Sequence, residues 1–256
     1  MSDFIVIFLL VSFGSLLALV GGLVFLFVPK LNRVLTDYSV PFAGGVLLTV
    51  TLLSILPEAS KLVGHTAFYI TLITFLTIYV FENLFFELHH HEHEEGLRNK
   101  NIHIGHDPTF RSAWFIMVGD TIHNFIDGVA ITASYLINPG LGIITAISTF
   151  LHEVPHEIGD FGILLKAKWR NKNIIATNLI SASFSLLGAF VVLVWQPADT
   201  ILGALLSISA GVFLYFGASD FIPHTDSHLP KSKTIFALLL GVSLMVISSL
   251  LIPHAH

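Results

Sequence analysis

Long apolar runs separated by short polar breaks recur eight times along the chain. They cover roughly Phe4–Val28, Val40–Ser60, Thr66–Leu88, Phe110–Ile137, Leu141–Lys166, Ile174–Trp195, Thr200–Phe221 and Thr234–Ile252. Each approaches or exceeds the ~20 residues that a bilayer-spanning helix needs. The breaks carry turn chemistry: Pro29 with Lys30, Pro41, Gly64, Asn138-Pro139-Gly140, Gln196-Pro197 and Pro230. Segments this long read as helices, because a membrane barrel would show strictly alternating segments of about 10 residues. Spans four and five hold the most polar residues, so hydropathy ranks them lowest. The pattern predicts an all-α integral membrane protein of eight transmembrane helices, a single polytopic domain over 1–256. The first span does not read as a cleaved signal peptide. Its leader Met1-Ser2-Asp3 has no positive charge, and its apolar run is too long.

Composition narrows the function. Of 256 residues, 54% are hydrophobic and 11% charged, against about 25% charged in soluble domains. Soluble enzymes and disordered tails are excluded. With net charge −5 and no basic patch, nucleic acid is excluded as a partner. The absence of cysteine removes disulfides, thiolate zinc sites and cysteine nucleophiles. Histidines number 14, more than the 12 Lys and Arg together.

The basic residues set an orientation. Lys30 and Arg33, then Arg98, Lys100 and Arg111, then Lys166, Lys168, Arg170 and Lys172, then Lys231 and Lys233 all fall in alternate loops. Only Lys61 falls on the other side. The positive-inside rule puts the four basic loops in the cytoplasm and both termini on the non-cytoplasmic side. The membrane itself, a bacterial or archaeal cell membrane or a eukaryotic plasma or organelle membrane, is left open.

Ionisable groups inside a span cost roughly 2.5–3.5 kcal/mol each even on the lenient insertion scale. Span four carries Asp120, His123, Asn124 and Asp127. Span five carries His152, Glu153, His156, Glu157 and Asp160. Residues four apart share a helix face, about 6 Å apart along the axis. That spacing pairs His123 with Asp127, His152 with His156, and Glu153 with Glu157. Two facing helices would then offer nitrogen and oxygen ligands to a divalent metal such as Zn²⁺. Without thiolates, such a site also releases its ion more readily. Pro155 should open span five around position 151. The plainer alternative is an internal salt-bridge network without an ion. The density of intramembrane ionisable groups favours an ion pathway.

Two strings extend the reading. His123-Asn124-Phe125-Ile126-Asp127-Gly128 and His152-Glu153-Val154-Pro155-His156-Glu157-Ile158-Gly159-Asp160-Phe161 together resemble the paired signature of the ZIP (Zrt/Irt-like protein) family of divalent-metal transporters. The second string is similar to the subfamily whose fifth helix carries HExPHE. The resemblance implies a 3+2+3 arrangement, with the metal site between helices four and five at mid-membrane. It implies transport of Zn²⁺, or related ions such as Fe²⁺, Mn²⁺, Co²⁺ or Cd²⁺, into the cytosol, with no catalytic residues and no resident cofactor. It implies His123, Asp127, His152 and His156 as primary ligands. Asn124, Glu153 and Glu157 would form a neighbouring second site or second shell. Many relatives have a metal-bridging Glu where this chain has His156, whose imidazole offers one lone pair. One metal or two stays open. Some relatives have a His where this chain has Ser54, which implies weaker binding in the upper pathway. The lipid bilayer is the other partner, and a homodimer is left open.

Several features flank this core. The segment 89–109 holds His89, His90, His91 and His93, with His103 and His106 beyond, and reads as a cytosolic histidine-rich loop. It would receive, buffer or sense ions, or be a solvated loop of biased composition. Span two ends Pro57-Glu58, and span seven ends Asp220-Phe221-Ile222-Pro223-His224. In an inverted repeat relating spans 1–3 to 6–8, Glu58 would lie near the entrance and Asp220 and His224 near the exit. Asp120 and Asp160 would extend the metal path. Glu82 and Glu87 are expected at the cytosolic interface. Glycines such as Gly21, Gly22, Gly45, Gly188 and Gly211 are expected at helix-packing surfaces.

Two rival functions remain. His152-Glu153-Val154-Pro155-His156 matches H-E-x-x-H, the helix of zinc proteases, so an intramembrane metalloprotease is the alternative. Pro155 between the histidines disturbs their common face, and span four is more elaborate than one extra ligand requires. A metal-sensing receptor is the other.

Overall fold

The computed structural model describes the backbone of residues 3–98, 108–221 and 230–252, and their side chains except at 36, 83–98, 108–116, 220 and 221. Among the described residues every regular element is helical. The main rods are α1 (Asp3–Phe27), α2 (Asp37–Val63), α3 (Thr66–Arg98), α4 (Pro108–Ile137), α5 (Pro139–Lys166), α6 (Asn171–Trp195), α7 (Asp199–Tyr215) and α8 (Lys231–Leu251). Five of them, α1, α2, α6, α7 and α8, are long and apolar enough to cross a membrane. The part of α3 whose side chains are described, Thr66–Glu82, is apolar as well. The described parts of α4 and α5, which carry the buried ionisable residues, are more polar.

The distribution of side chains is the reverse of a soluble protein. Large apolar residues face outward along α3 and α8, with Leu250 and Leu251 keeping 80% and 75% of their surface exposed. Serine, threonine, histidine and carboxylate side chains lie inside. An exterior this apolar suits hydrocarbon, not water. Helix α5 is central and packs against α1, α2 and α4, while α4 packs against α5, α6 and α7. The remaining large contacts join α2 to α7 and to α8, and α3 to α7.

Glycine lets two of these pairs cross backbone to backbone. A Cβ on Gly128 of α4 would strike the Ser185 carbonyl of α6, and one on Gly188 of α6 would strike the Phe125 carbonyl of α4. Gly45 of α2 and Gly241 of α8 stand in the same reciprocal relation, against Leu238 and Phe42. Along α1, Gly21 and Gly22 admit Val154 and the Phe161 ring of α5. The expectation of packing glycines is met here and at Gly211, which faces Thr71 and Thr74.

Two boundaries differ from the sequence pattern. Pro41 does not break a helix: helical backbone starts at Asn32, runs into α2 and continues through this proline. Pro155 lies inside α5, within the span expected there. Both prolines are buried, and packing on neighbouring helices holds the chain helical past the lost hydrogen bond. Helix α3 runs on to Arg98, so the backbone of His89, His90, His91 and His93 is helical. Glu82 is half-buried and accepts a hydrogen bond from the Tyr215 hydroxyl of α7. The side chains of His89–His93, Glu87 and Asp220, and all of His103, His106 and His224, lie outside the described residues.

The ends of α2 and α7 share a construction. Each contains a wider π turn, Thr51–Ile55 in one and Phe216–Phe221 in the other. Each turn ends two residues before a proline, Pro57 or Pro223. A proline ring clashes with the carbonyl four residues earlier, and a widened turn relieves that clash.

Candidate metal centre

Helices α4 and α5 form a hairpin with a single-residue connection. The Asn138 side-chain carbonyl accepts from the amides of Gly140 at 2.8 Å and Leu141 at 3.2 Å, capping α5, and Pro139 takes the first helical position. The Thr145 hydroxyl donates to that of Ser134 at 3.0 Å, tying the helices near the turn. The two polar faces are thereby set against each other.

They meet as two clusters. In the first, His123 Nε2 lies 3.1 Å from Glu153 Oε1 and 4.0 Å from Asp127 Oδ2. His152 Nε2 lies 3.2 Å from Asp127 Oδ2 and 3.7 Å from Glu153 Oε1. Four bonds of about 2.0–2.1 Å in a tetrahedron put ligand atoms about 3.3–3.4 Å apart, so these separations bracket a zinc-sized gap. All four side chains are buried. His152 Nδ1 sits 2.8 Å from the Ser148 carbonyl. A carbonyl only accepts, so Nδ1 carries the proton and Nε2 turns its lone pair into the cluster.

The second cluster joins His156 Nδ1 to Asp120 Oδ1 at 3.4 Å and Asp160 Oδ2 at 3.7 Å. Asn124 donates to Asp120 Oδ1 at 3.0 Å and to the Asp120 carbonyl at 3.2 Å. Glu157 is fully buried beside them, and neither carboxylate oxygen has a hydrogen-bond partner among the described residues.

Glu153 groups with His123, Asp127 and His152, while His156 groups with Asp120 and Asp160. Asp127 lies opposite His152, and Asp120 lies opposite His156. Asn124 positions Asp120 and is outside the first cluster. Since His152 and His156 belong to different clusters, the HEVPH string does not assemble the shared pair of histidines that a zinc protease requires. Glu58, expected near the entrance, forms an ion pair with Lys61 at 2.9 Å, at the end of α2.

Two aromatic residues escaped the sequence reading. Phe216, in the π turn that follows α7, lies tilted 4.5 Å from the His123 ring and edge-on 6.1 Å from the His156 ring, and Phe213 lies 5.4 Å from the His152 ring. They form an apolar wall beside the imidazoles. In a helix as apolar as α7, two phenylalanines three apart give no signal of their own.

Comparison with known proteins supplies a family. The family profile described as ZIP Zinc transporter matches residues 87–249, well over half the chain. Zinc transporter ZIP10 of Danio rerio is 35% identical over 153 residues, which cover 56% of this chain and 18% of that protein. Zinc transporter foi of Drosophila melanogaster is 34% identical over 142 residues, covering 54% and 20%. Zinc transporter zipt-7.2 of Caenorhabditis elegans is 37% identical over 142 residues, covering 52% and 31%. The matched part is therefore less than a third of each of these relatives' lengths.

Proposed function

The chain belongs to the ZIP zinc transporter family, and from that premise we propose that it carries divalent metal ions, zinc foremost, through the membrane into the cytosol. The family is one of transporters, not of enzymes. The carrying observation is the first cluster: two imidazole nitrogens and two carboxylate oxygens, buried and 3.1–4.0 Å apart across α4 and α5. The ion is the cargo, held by His123, Asp127, His152 and Glu153. Fe²⁺, Mn²⁺, Co²⁺ and Cd²⁺ suit the same donors.

In this reading all eight rods cross the bilayer, in a 3+2+3 order with both termini outside. Helices α3, α4 and α5 cross despite their polarity because neighbouring helices cover them. The paired contacts support an inverted repeat: α1 on α5 mirrors α6 on α4, α2 on α5 mirrors α7 on α4, and α2 on α8 mirrors α7 on α3. The matching π turns before Pro57 and Pro223 fit the same symmetry. An ion enters near Glu58, sheds water behind Phe213 and Phe216, and binds. Rocking of one bundle against the other then opens the site to the cytosol, where the histidine-rich segment after Leu88 receives it. Protons compete for the same lone pairs and favour release.

Substituting Ala at His123 or His152 is expected to abolish ⁶⁵Zn uptake into proteoliposomes while the purified protein stays monodisperse. Normal uptake by both variants refutes the assignment.

A further inference from the structure

The turn between α5 and α6 carries four cations in seven residues, Lys166, Lys168, Arg170 and Lys172, and the transport reading gives them no task beyond orientation. We infer that this turn is a binding site for the phosphate-bearing headgroup of an anionic phospholipid. The proposed orientation puts it in the cytosolic leaflet. The site rests on that placement and not on the metal clusters, and the test separates the two.

The charge of the turn is uncompensated. Elsewhere Arg33 pairs with Asp37, and Lys61 with Glu58. Among the described residues no carboxylate pairs with any of these four cations, and all four are exposed. No aspartate or glutamate occurs from 161 to 198, so the chain supplies no acid from its own neighbourhood. Cations left free at a membrane surface attract anionic lipid, and basic pockets between helices on the cytoplasmic side take its headgroups.

Orientation alone requires charge, not a cavity, and here there is one. The turn Ala167–Arg170, with Asn173, Ala176 and Thr177 of α6, lines a cavity of about 470 Å³, within the usual range of small-ligand sites. Its walls are fixed. The Trp169 amide donates to the Leu164 carbonyl at 3.1 Å and the Lys168 amide to that of Leu165 at 2.9 Å, closing α5 in a Schellman turn. The Trp169 side chain packs on the cluster of Met117, Phe161, Leu164 and Ile174. Lys168 takes the left-handed position of that turn, at φ 61°, where glycine is unstrained and a side chain is not. A lysine in that place serves the cavity, not the turn.

The surroundings select a lipid over a soluble phosphate. Lys168 and Arg170 can hold phosphate oxygens by charge-assisted hydrogen bonds, with Asn173 and Thr177 as polar neighbours on the same wall. From Ala176 the same face of α6 continues through Ile180, Phe184 and Leu187, spaced three and four apart and all exposed. A headgroup in the cavity therefore leaves its acyl chains along an apolar strip that runs into the membrane. A free phosphate would use the cavity and leave the strip unused.

The experiment is native mass spectrometry of the full-length protein in detergent, with dioleoylphosphatidylglycerol as the probe and dioleoylphosphatidylcholine as its zwitterionic counterpart. Wild type should retain the anionic lipid in preference. Each interfacial cation is worth about fivefold in binding, so Lys168→Gln with Arg170→Gln should lower that preference about 25-fold. Lys231→Gln with Lys233→Gln removes the same charge before α8 and should leave the preference unchanged. Lys168→Gly loses one charge but relieves the left-handed backbone. It should lose about fivefold in preference with a Tm no lower than wild type, which frees the test from any variant that fails to fold. Equal retention of the two lipids by wild type overturns the inference. So does an undiminished preference in the Lys168/Arg170 variant, or an equal loss in the Lys231/Lys233 control. Displacement of the lipid by millimolar inorganic phosphate would assign the cavity to a soluble anion and overturn the lipid reading. Wild type that transports ⁶⁵Zn but shows no lipid preference sinks this site alone. Wild type that shows the preference and transports none sinks the transport reading and leaves the site standing.

Discussion

Gly188 touches neither cluster, yet a methyl group there should disable the protein. Its Cβ would strike the Phe125 carbonyl oxygen and lie 3.1 Å from both the carbonyl carbon and Val129 N. A carbon normally keeps about 3.3 Å or more from a carbonyl oxygen, so α4 and α6 must separate by about 1 Å. Backbone cannot swing aside as a flexible side chain does. Overpacking of this kind costs about 1–3 kcal/mol, or a fall of roughly 2–12 °C in Tm at the 2–4 °C per kcal/mol usual for this chain length. Phe125 stands between His123 and Asp127, so the shift also displaces two ligands from their partners on α5. Misplacement by 1 Å is worth on the order of a hundredfold where geometry is exacting, and zinc uptake by Gly188→Ala should fall by at least about tenfold. Gly119→Ala is the control. Its Cβ meets nothing within 4 Å, and alanine favours a helix interior by roughly 0.5–1 kcal/mol. Thermal scans in detergent and ⁶⁵Zn uptake in proteoliposomes read both effects. Wild-type Tm and uptake in Gly188→Ala would refute the close crossing and its link to the site.

Three further outcomes follow from the same contacts. Asn138→Ala removes the cap on α5 and should cost about 1 kcal/mol, visible as a Tm lowered by a few degrees; an unchanged Tm would show that the α4–α5 turn does not depend on it. Tyr215→Phe strips Glu82 of its buried partner and should lower stability by about 1–3 kcal/mol, whereas Glu82→Gln keeps an acceptor for the hydroxyl and should lose less in the same denaturation assay. Deleting residues 89–93 should leave zinc uptake measurable, since the buried donors are untouched; complete loss would make that segment an obligate part of the path.

The sequence disclosed the chemistry of α4 and α5 but not how its side chains group across the two helices. Polar residues at spacings of three, four and seven on two apolar helices mark a buried polar face, and the face is there. Whether Glu153 or His156 joins His123 depends on how two helices are rotated and offset against each other. Along α5 the pairs His152/His156 and Glu153/Glu157 have the same spacing, so its pattern cannot choose between them. One proline was the other source of error. Pro41 looks like a break to a local rule, but a buried proline between packed neighbours stays helical. The glycine crossings were legible as small residues and illegible as partners, because only the fold sets Gly128 against Ser185 and Gly45 against Leu238. The aromatic wall of Phe213 and Phe216 left no trace in a helix already apolar throughout.

The one-residue turn at Asn138 bears on how the chain is assembled. Helix α5 alone, with Glu153, Glu157 and Asp160, is a poor candidate to leave the translocation channel for lipid. Joined to α4 by a single residue, it cannot linger far from its partner, so on the proposed eight-span reading the two enter as a hairpin whose polar faces already shield each other. Helix α1 is made earlier and can receive α5 at once, through Gly21 and Gly22. Helix α6 is made next and closes over α4, through Gly188. The order of synthesis thus supplies a cover for each side of the polar hairpin, and a chain whose central helices are its least hydrophobic can still be built from one end to the other.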